Sequence, residues 1–197
     1  MTAFIRHVVE EWGAAGVAFL MLLENVFPPL PSELILPLAG YAASRGDVAL
    51  PTVLAGSIVG SVAGATVWFV LAAQVGKAGL LRLARTNGRW LSLTPGDVEA
   101  VDNWFDRHGG KAVLLGRMVP TVRTLISVPA ALAGMGWRRF LLFTTIGSAA
   151  WSLLLVVAGY WLGSAYAEIG TVLSPISTVI VAGLILVYLY RVATFKP

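Results

Sequence analysis

Apolar residues occur along this chain in stretches of two lengths. Three charge-free runs, at residues 48–76, 140–167 and 169–190, reach the roughly 20 apolar residues that a bilayer-spanning helix needs, and they predict three spanning helices. Four shorter runs, at 12–23, 34–44, 112–116 and 124–137, are too short to span, most of them about half a bilayer long and 112–116 shorter still. The first two flank the segment Glu24–Glu33, which contains Pro28, Pro29 and Pro31; Pro37 follows within the second run. The other two flank Arg117–Arg123, with Pro120 in the connection and Pro129 shortly after it. Proline withholds an amide donor and stops a helix from continuing. The paired short runs therefore read as two re-entrant hairpins broken at these prolines, with fully spanning but kinked helices as the alternative. Irregular backbone at that depth persists only when buried in protein or lining a wet cavity.

An amphipathic segment precedes each hairpin. Residues 2–12 place Phe4, Ile5, Val8, Val9 and Trp12 on one helical face and Arg6, His7, Glu10 and Glu11 opposite. Residues 94–110 begin with Thr94 as an N-cap and Pro95 at the first helical position, and carry Val98, Val101, Trp104 and Phe105 as an apolar stripe. Both read as helices lying in the membrane interface. Sliding the chain on itself by 92 residues sets Trp12 on Trp104, Leu22-Leu23 on Leu114-Leu115, Pro28 on Pro120 and Pro37 on Pro129. Further along, a slide of 87 sets Gly60-Ser61 on Gly147-Ser148 and Gly76 on Gly163. The pattern predicts an all-α integral membrane protein forming a single domain over residues 1–197. Repeat 1 covers about 1–90, repeat 2 about 91–167, and a final helix 168–192. One re-entrant hairpin plus one crossing per half inverts the second copy, the inverted-repeat plan of many transporters.

Composition sharpens this picture. The chain is 57% hydrophobic and 12% charged, against about 25% charged in soluble domains. It has no cysteine and two histidines, His7 and His108, so neither a disulfide nor a metal cofactor is expected. Glu10 and Glu11 interrupt the N-terminus, which does not read as a cleavable signal peptide. The net charge of +4 carries topology rather than nucleic-acid binding. Lys77, Arg82, Arg85, Arg89, Arg107, Lys111, Arg138, Arg139, Arg191 and Lys196 fall on one side and Arg6 and Arg45 on the other, which places the first side in the cytoplasm.

Four charges remain inside the hairpins: Glu24 and Glu33 in the first, Arg117 and Arg123 in the second. Each costs about 2.5–3.5 kcal/mol at mid-membrane on insertion scales, so they must be paired, hydrated or offset by a ligand. Salt bridges that merely join the hairpins are one reading. The other is a site in which Arg117 and Arg123 take an anionic head group, since guanidinium is a permanent, forked cation suited to phosphate. Glu24 and Glu33 would then handle protons or gate the arginines. Asn25, Ser32, Thr121, Thr124 and Ser127 are candidate polar support. Trp68, Trp151 and Trp161 read as packing or interface anchors. Gly56, Gly60 and Gly64 form a small-residue stripe for close helix packing, within one chain or between chains.

Two motifs carry a resemblance: E-N-x-F-P-P-x-P-S-E-x-x-L-P-x-A-G at residues 24–40 and G-R-x-x-P-x-x-R-T-L…A-G at residues 116–134. At these residues the chain resembles the DedA family of bacterial membrane proteins, related to the wider VTT-domain group. The resemblance implies a multi-pass protein of the bacterial cytoplasmic membrane that transports lipid-linked anions. Undecaprenyl phosphate, the cell-wall carrier lipid, is the leading substrate, with proton coupling as an added expectation. The family's acids correspond to Glu24 and Glu33 and its arginines to Arg117 and Arg123. Where some members carry an aspartate in a longer proline–glycine motif, this chain has Pro31-Ser32-Glu33. A lipid scramblase, or a proton/cation antiporter supporting membrane potential and pH homeostasis, is the alternative. An enzyme is not expected, because no histidine nucleophile or metal-ligand cluster stands in a membrane motif. The oligomeric state stays open.

Overall fold

A computed structural model describes residues 2–27, 32–91, 94–120 and 122–162, with isolated positions 183, 190, 193 and 194. Every regular element among them is helical: α1 (Thr2–Val26), α2 (Ser32–Ser44), α3 (Leu50–Leu91), α4 (Pro95–Arg117), α5 (Ser127–Leu132) and α6 (Trp137–Leu162). Two segments are long and apolar enough to cross a bilayer, Leu50–Arg82 and Trp137–Leu162, and they match two of the three predicted spans. The predicted helix 168–192, Pro28, Pro29, Pro31 and Thr121 lie outside the described residues.

α1 and α4 each join an amphipathic stretch to a more apolar one through one glycine. Gly13 sits at φ 52, ψ −128 and Gly109 at φ 50, ψ −129, a conformation that a side chain resists. The axis turns there without ending the helix. These kinks lie 96 residues apart, one helical turn more than the slide of 92 that aligns Trp12 with Trp104, so the sequence register is four residues out at this point. In the first amphipathic stretch Ile5, Val8 and Val9 are buried, whereas Phe4 and Trp12 are exposed. The apolar face therefore divides between a protein-facing half and an outward half.

α3 extends through its predicted end at Gly76, which sits at φ 64. The stripe Gly56, Gly60 and Gly64 faces α1 of the same chain. A Cβ at Gly56 or Gly60 would strike the carbonyls of Ala14 or Ala18, and one at Gly64 would strike the Asn25 side chain. The close packing is thus intramolecular. A second close approach joins α2 to α6, where Gly159 meets the backbone of Pro37 and Gly40 meets that of Val156. Pro37 corrects the expectation of a break: it lies inside α2, where the neighbouring helix packs tightly against its backbone. Pro129 is likewise not a break but sits in the first turn of α5, where the missing amide has no intrahelical acceptor to lose. Pro120 does lie in the exposed turn between α4 and α5.

Two apolar cores result. One gathers Ile5, Val9, Val17, Leu20, Leu34, Ile35 and Leu36 with Val53 of α3 and Val156 of α6. The other gathers Phe105, Val113, Ile126 and Ala130 with Ala65 and Phe69 of α3 and Phe140 of α6. Between its two core contacts, α3 carries buried Ser57 and Ser61, and α6 carries buried Thr144, Ser148 and Ser152. A polar layer therefore crosses both spanning helices part-way along their length.

Candidate functional site

The polar layer is completed by the hairpin tips. Glu24 and Asn25 stand in the last turn of α1, Ser32 begins α2, Arg117 ends α4, Arg123 lies in the turns that follow, and Ser127 begins α5. The helix ends here leave backbone groups to satisfy. The indole of Trp68 on α3 meets one such need, donating to the Asn25 carbonyl at 2.9 Å.

Glu24, Arg117 and Arg123 are 4%, 3% and 5% exposed, so the structure brings three of the four expected intramembrane charges to one buried locus. Arg123 forms an ion pair with Glu24, and its guanidinium lies 5.7 Å from the centre of the Trp151 ring. Trp151 in turn donates to the Ser32 hydroxyl at 3.4 Å. Glu33, in the first turn of α2, is half-buried.

Arg117 is held differently. Its Nη1 donates to Asn25 Oδ1 at 3.3 Å and its Nη2 to Ser127 Oγ at 3.1 Å, both neutral acceptors. Its Nε has no partner although buried. Asn25 is the bridge: its amide donates to Glu24 Oε2 and to the Met21 carbonyl, each at 3.0 Å, while its oxygen receives Arg117. One arginine is thus committed to a carboxylate, whereas the other rests on groups it can exchange cheaply. A guanidinium in a low-dielectric site, hydrogen-bonded among the described residues to neutral oxygens, is poised for an anion.

Among the expected supporting residues, Asn25, Ser32 and Ser127 make contacts within this cluster and Thr124 is buried. Trp161 is 84% exposed, as an interface anchor would be. Trp68 and Trp151, read from sequence as packing or interface anchors, each donate a hydrogen bond within this cluster. The buried hydroxyls of α6 were also missed. Their spacing of four on an apolar helix, Thr144–Ser148–Ser152, was the available signal, because it sets them along one face.

Comparison with known proteins extends the geometry. The VTT domain model matches residues 30–161. The chain is 34% identical over 196 residues to a protein of Lactococcus lactis subsp. cremoris named alkaline phosphatase-like protein, covering 99% of this chain and 92% of the relative. It is 31% identical over 194 residues to undecaprenyl phosphate transporter A of Bacillus subtilis, covering 95% and 94%. It is 30% identical over 173 residues to protein DedA of Escherichia coli K12, covering 81% and 74%. No solved structure matches.

Proposed function

The chain belongs to the VTT-domain family as a DedA-type membrane protein, and from that premise we propose that it moves the phosphate head of a polyprenyl carrier lipid, undecaprenyl phosphate, across the bacterial cytoplasmic membrane. The observation that carries the reading is Arg117, a buried guanidinium whose hydrogen bonds among the described residues go to neutral oxygens, beside a second arginine paired with Glu24. The relative named undecaprenyl phosphate transporter A supports the choice of lipid.

In this mechanism the head group enters the polar layer and displaces Asn25 and Ser127 from Arg117. A phosphate carries up to two charges and can recruit Arg123 as well. Glu24, losing its partner in a low-dielectric site, then favours the neutral carboxyl and takes up a proton. Glu33 offers a second carboxyl beside it. The polyprenyl tail stays in lipid, so only the head is desolvated. Exchange of a proton for the phosphate's contact is the coupling step. A second reading is energy-independent scrambling, in which lipid movement ignores an imposed pH gradient, or proton/cation antiport, in which the Glu24 and Glu33 carboxyls exchange protons for a cation and the pH gradient drives transport without a phosphate head group.

The architecture we propose for this function is two inverted halves, each with a re-entrant hairpin. Three observations support it. Gly13 and Gly109 kink their helices with nearly the same dihedral angles. α1 packs on α3 as α4 packs on α6, whereas α2 crosses to α6 and α5 crosses to α3. Each core takes one end of both spanning helices. Such an exchange puts the hairpin tips at the interface between halves, where alternating-access sites form.

The purified protein in liposomes, loaded with labelled polyprenyl phosphate, provides the test. Arg117→Ala and Arg123→Ala should each abolish head-group translocation, and Arg117→Ala should remain monodisperse and folded. Wild-type-like translocation by Arg117→Ala would falsify the assignment. Phosphate release measured in the same vesicles separates transport from the phosphatase activity that the Lactococcus relative's name raises; release matching lipid consumption would replace transport with hydrolysis.

A further inference from the structure

The geometry points to a substrate-contact role for the hydroxyls of α6: Thr144, Ser148 and Ser152 form a ladder that, with the Nε–H of Arg117, takes the oxygens of a phosphate monoester as the head group moves through the polar layer. This deepens the transport reading and rests on it.

Three observations converge. First, Thr144 and Ser152 are 0% and 1% exposed, and neither hydroxyl has a hydrogen-bond partner among the described residues. A Ser or Thr in a helix can ordinarily bond back to a carbonyl of the preceding turn, as Ser57 on α3 does by donating to the Leu54 carbonyl at 2.8 Å. On the slide of 87, Ser57 and Ser61 fall on Thr144 and Ser148. Thr144 thus holds the place of Ser57 yet is left uncommitted, and Ser152, which falls on Ala65 and has no counterpart hydroxyl, is uncommitted as well. A buried polar group without a partner is costly and calls for an explanation. A ligand present in another state supplies one.

Second, the ladder runs alongside both arginines. A Cβ on Gly147 would lie 2.7 Å from Arg117 Cβ and 3.1 Å from its Cγ, so α6 touches the Arg117 stem between Thr144 and Ser148. Trp151, next to Ser152, lies under the Arg123 guanidinium. At helical spacing these positions share an arc of about 140° and rise by about 12 Å from Thr144 to Ser152. That is farther than one phosphate reaches, so the hydroxyls are successive stations.

Third, the uncommitted atoms share one chemistry. Arg117 Nε is a donor only, and each hydroxyl has a proton to give. Donors beside guanidinium groups select an anion over a neutral or cationic head.

The test uses the full chain in detergent, with a short-chain polyprenyl monophosphate, the corresponding neutral polyprenol, and inorganic phosphate as probes in a binding titration. Thr144→Val with Ser152→Ala removes the hydroxyl at both outer stations, so a phosphate resting at either loses one hydrogen bond to a charged group, and monophosphate binding should weaken about tenfold. Neutral polyprenol binding and the thermal midpoint should be unchanged, and Thr144→Ser should bind as the wild type does. Unchanged monophosphate affinity in the double variant, or an equal loss for the neutral polyprenol, overturns the ladder. Inorganic phosphate competing with the ladder intact but not in the double variant supports it with free phosphate as a ligand; failure to compete in either supports it as a lipid-phosphate site. If the wild type binds the monophosphate but does not translocate it, the transport reading fails while the ladder stands.

Discussion

Glu24 and Arg123 can be buried only together. Removing one member of a buried pair strands the other, typically at about 3–5 kcal/mol, whereas replacing both by neutral groups costs far less. Glu24→Gln and Arg123→Gln should therefore each lower the thermal midpoint markedly, and the double variant should recover most of the loss. Additive losses in a double-mutant cycle would show that the pair contributes nothing as a pair. The recovered double variant should still fail to translocate, since it has lost one phosphate ligand. Arg117 makes a different case at the same scale. Its neutral acceptors make it cheaper to release, which suits a group that must change partners during each cycle.

At the scale of elements, glycine sets the geometry in two distinct ways. Gly13 and Gly109 are chosen for backbone conformation: a Cβ would meet nothing within 4 Å at either site, yet both have positive φ. Gly13→Ala and Gly109→Ala should each cost about 1–3 kcal/mol of strain, read as a lower midpoint in detergent. If both variants melt with the wild type, the kinks are not required. Gly56, Gly60, Gly64 and Gly159 are instead chosen for the absence of a side chain where backbones meet. Without a hydrophobic drive between helices in lipid, that close approach supplies the packing energy. It also brings Asn25 against α3, and with it the tip that holds Arg117.

For the whole molecule, the distribution of lysine and arginine predicts that the connection between α2 and α3 faces outward and that the α3–α4 side faces the cytoplasm. The chain contains no cysteine, so single reporters can be placed without background. Ala49→Cys should react with a membrane-impermeant maleimide on intact cells, whereas Arg107→Cys should react only after permeabilisation; both positions are exposed. The opposite pattern would invert the molecule and, with it, the side from which the head group enters.

The sequence by itself determined that this chain is helical and of a membrane-protein family, where two of its long apolar helices lie, and that two acids and two arginines interrupt its short apolar runs. These are consequences of local composition: lipid receives long apolar runs, and charges that interrupt short ones have nowhere else to go. Only the tertiary structure decided that Glu24 takes Arg123 rather than Arg117, that Trp68 and Trp151 serve the site, and that Pro37 packs inside a helix instead of breaking one. Partner choice depends on the relative depth and rotation of helices that are distant in sequence, and the period of a hydrophobic pattern specifies a helix's buried face without specifying what it meets there.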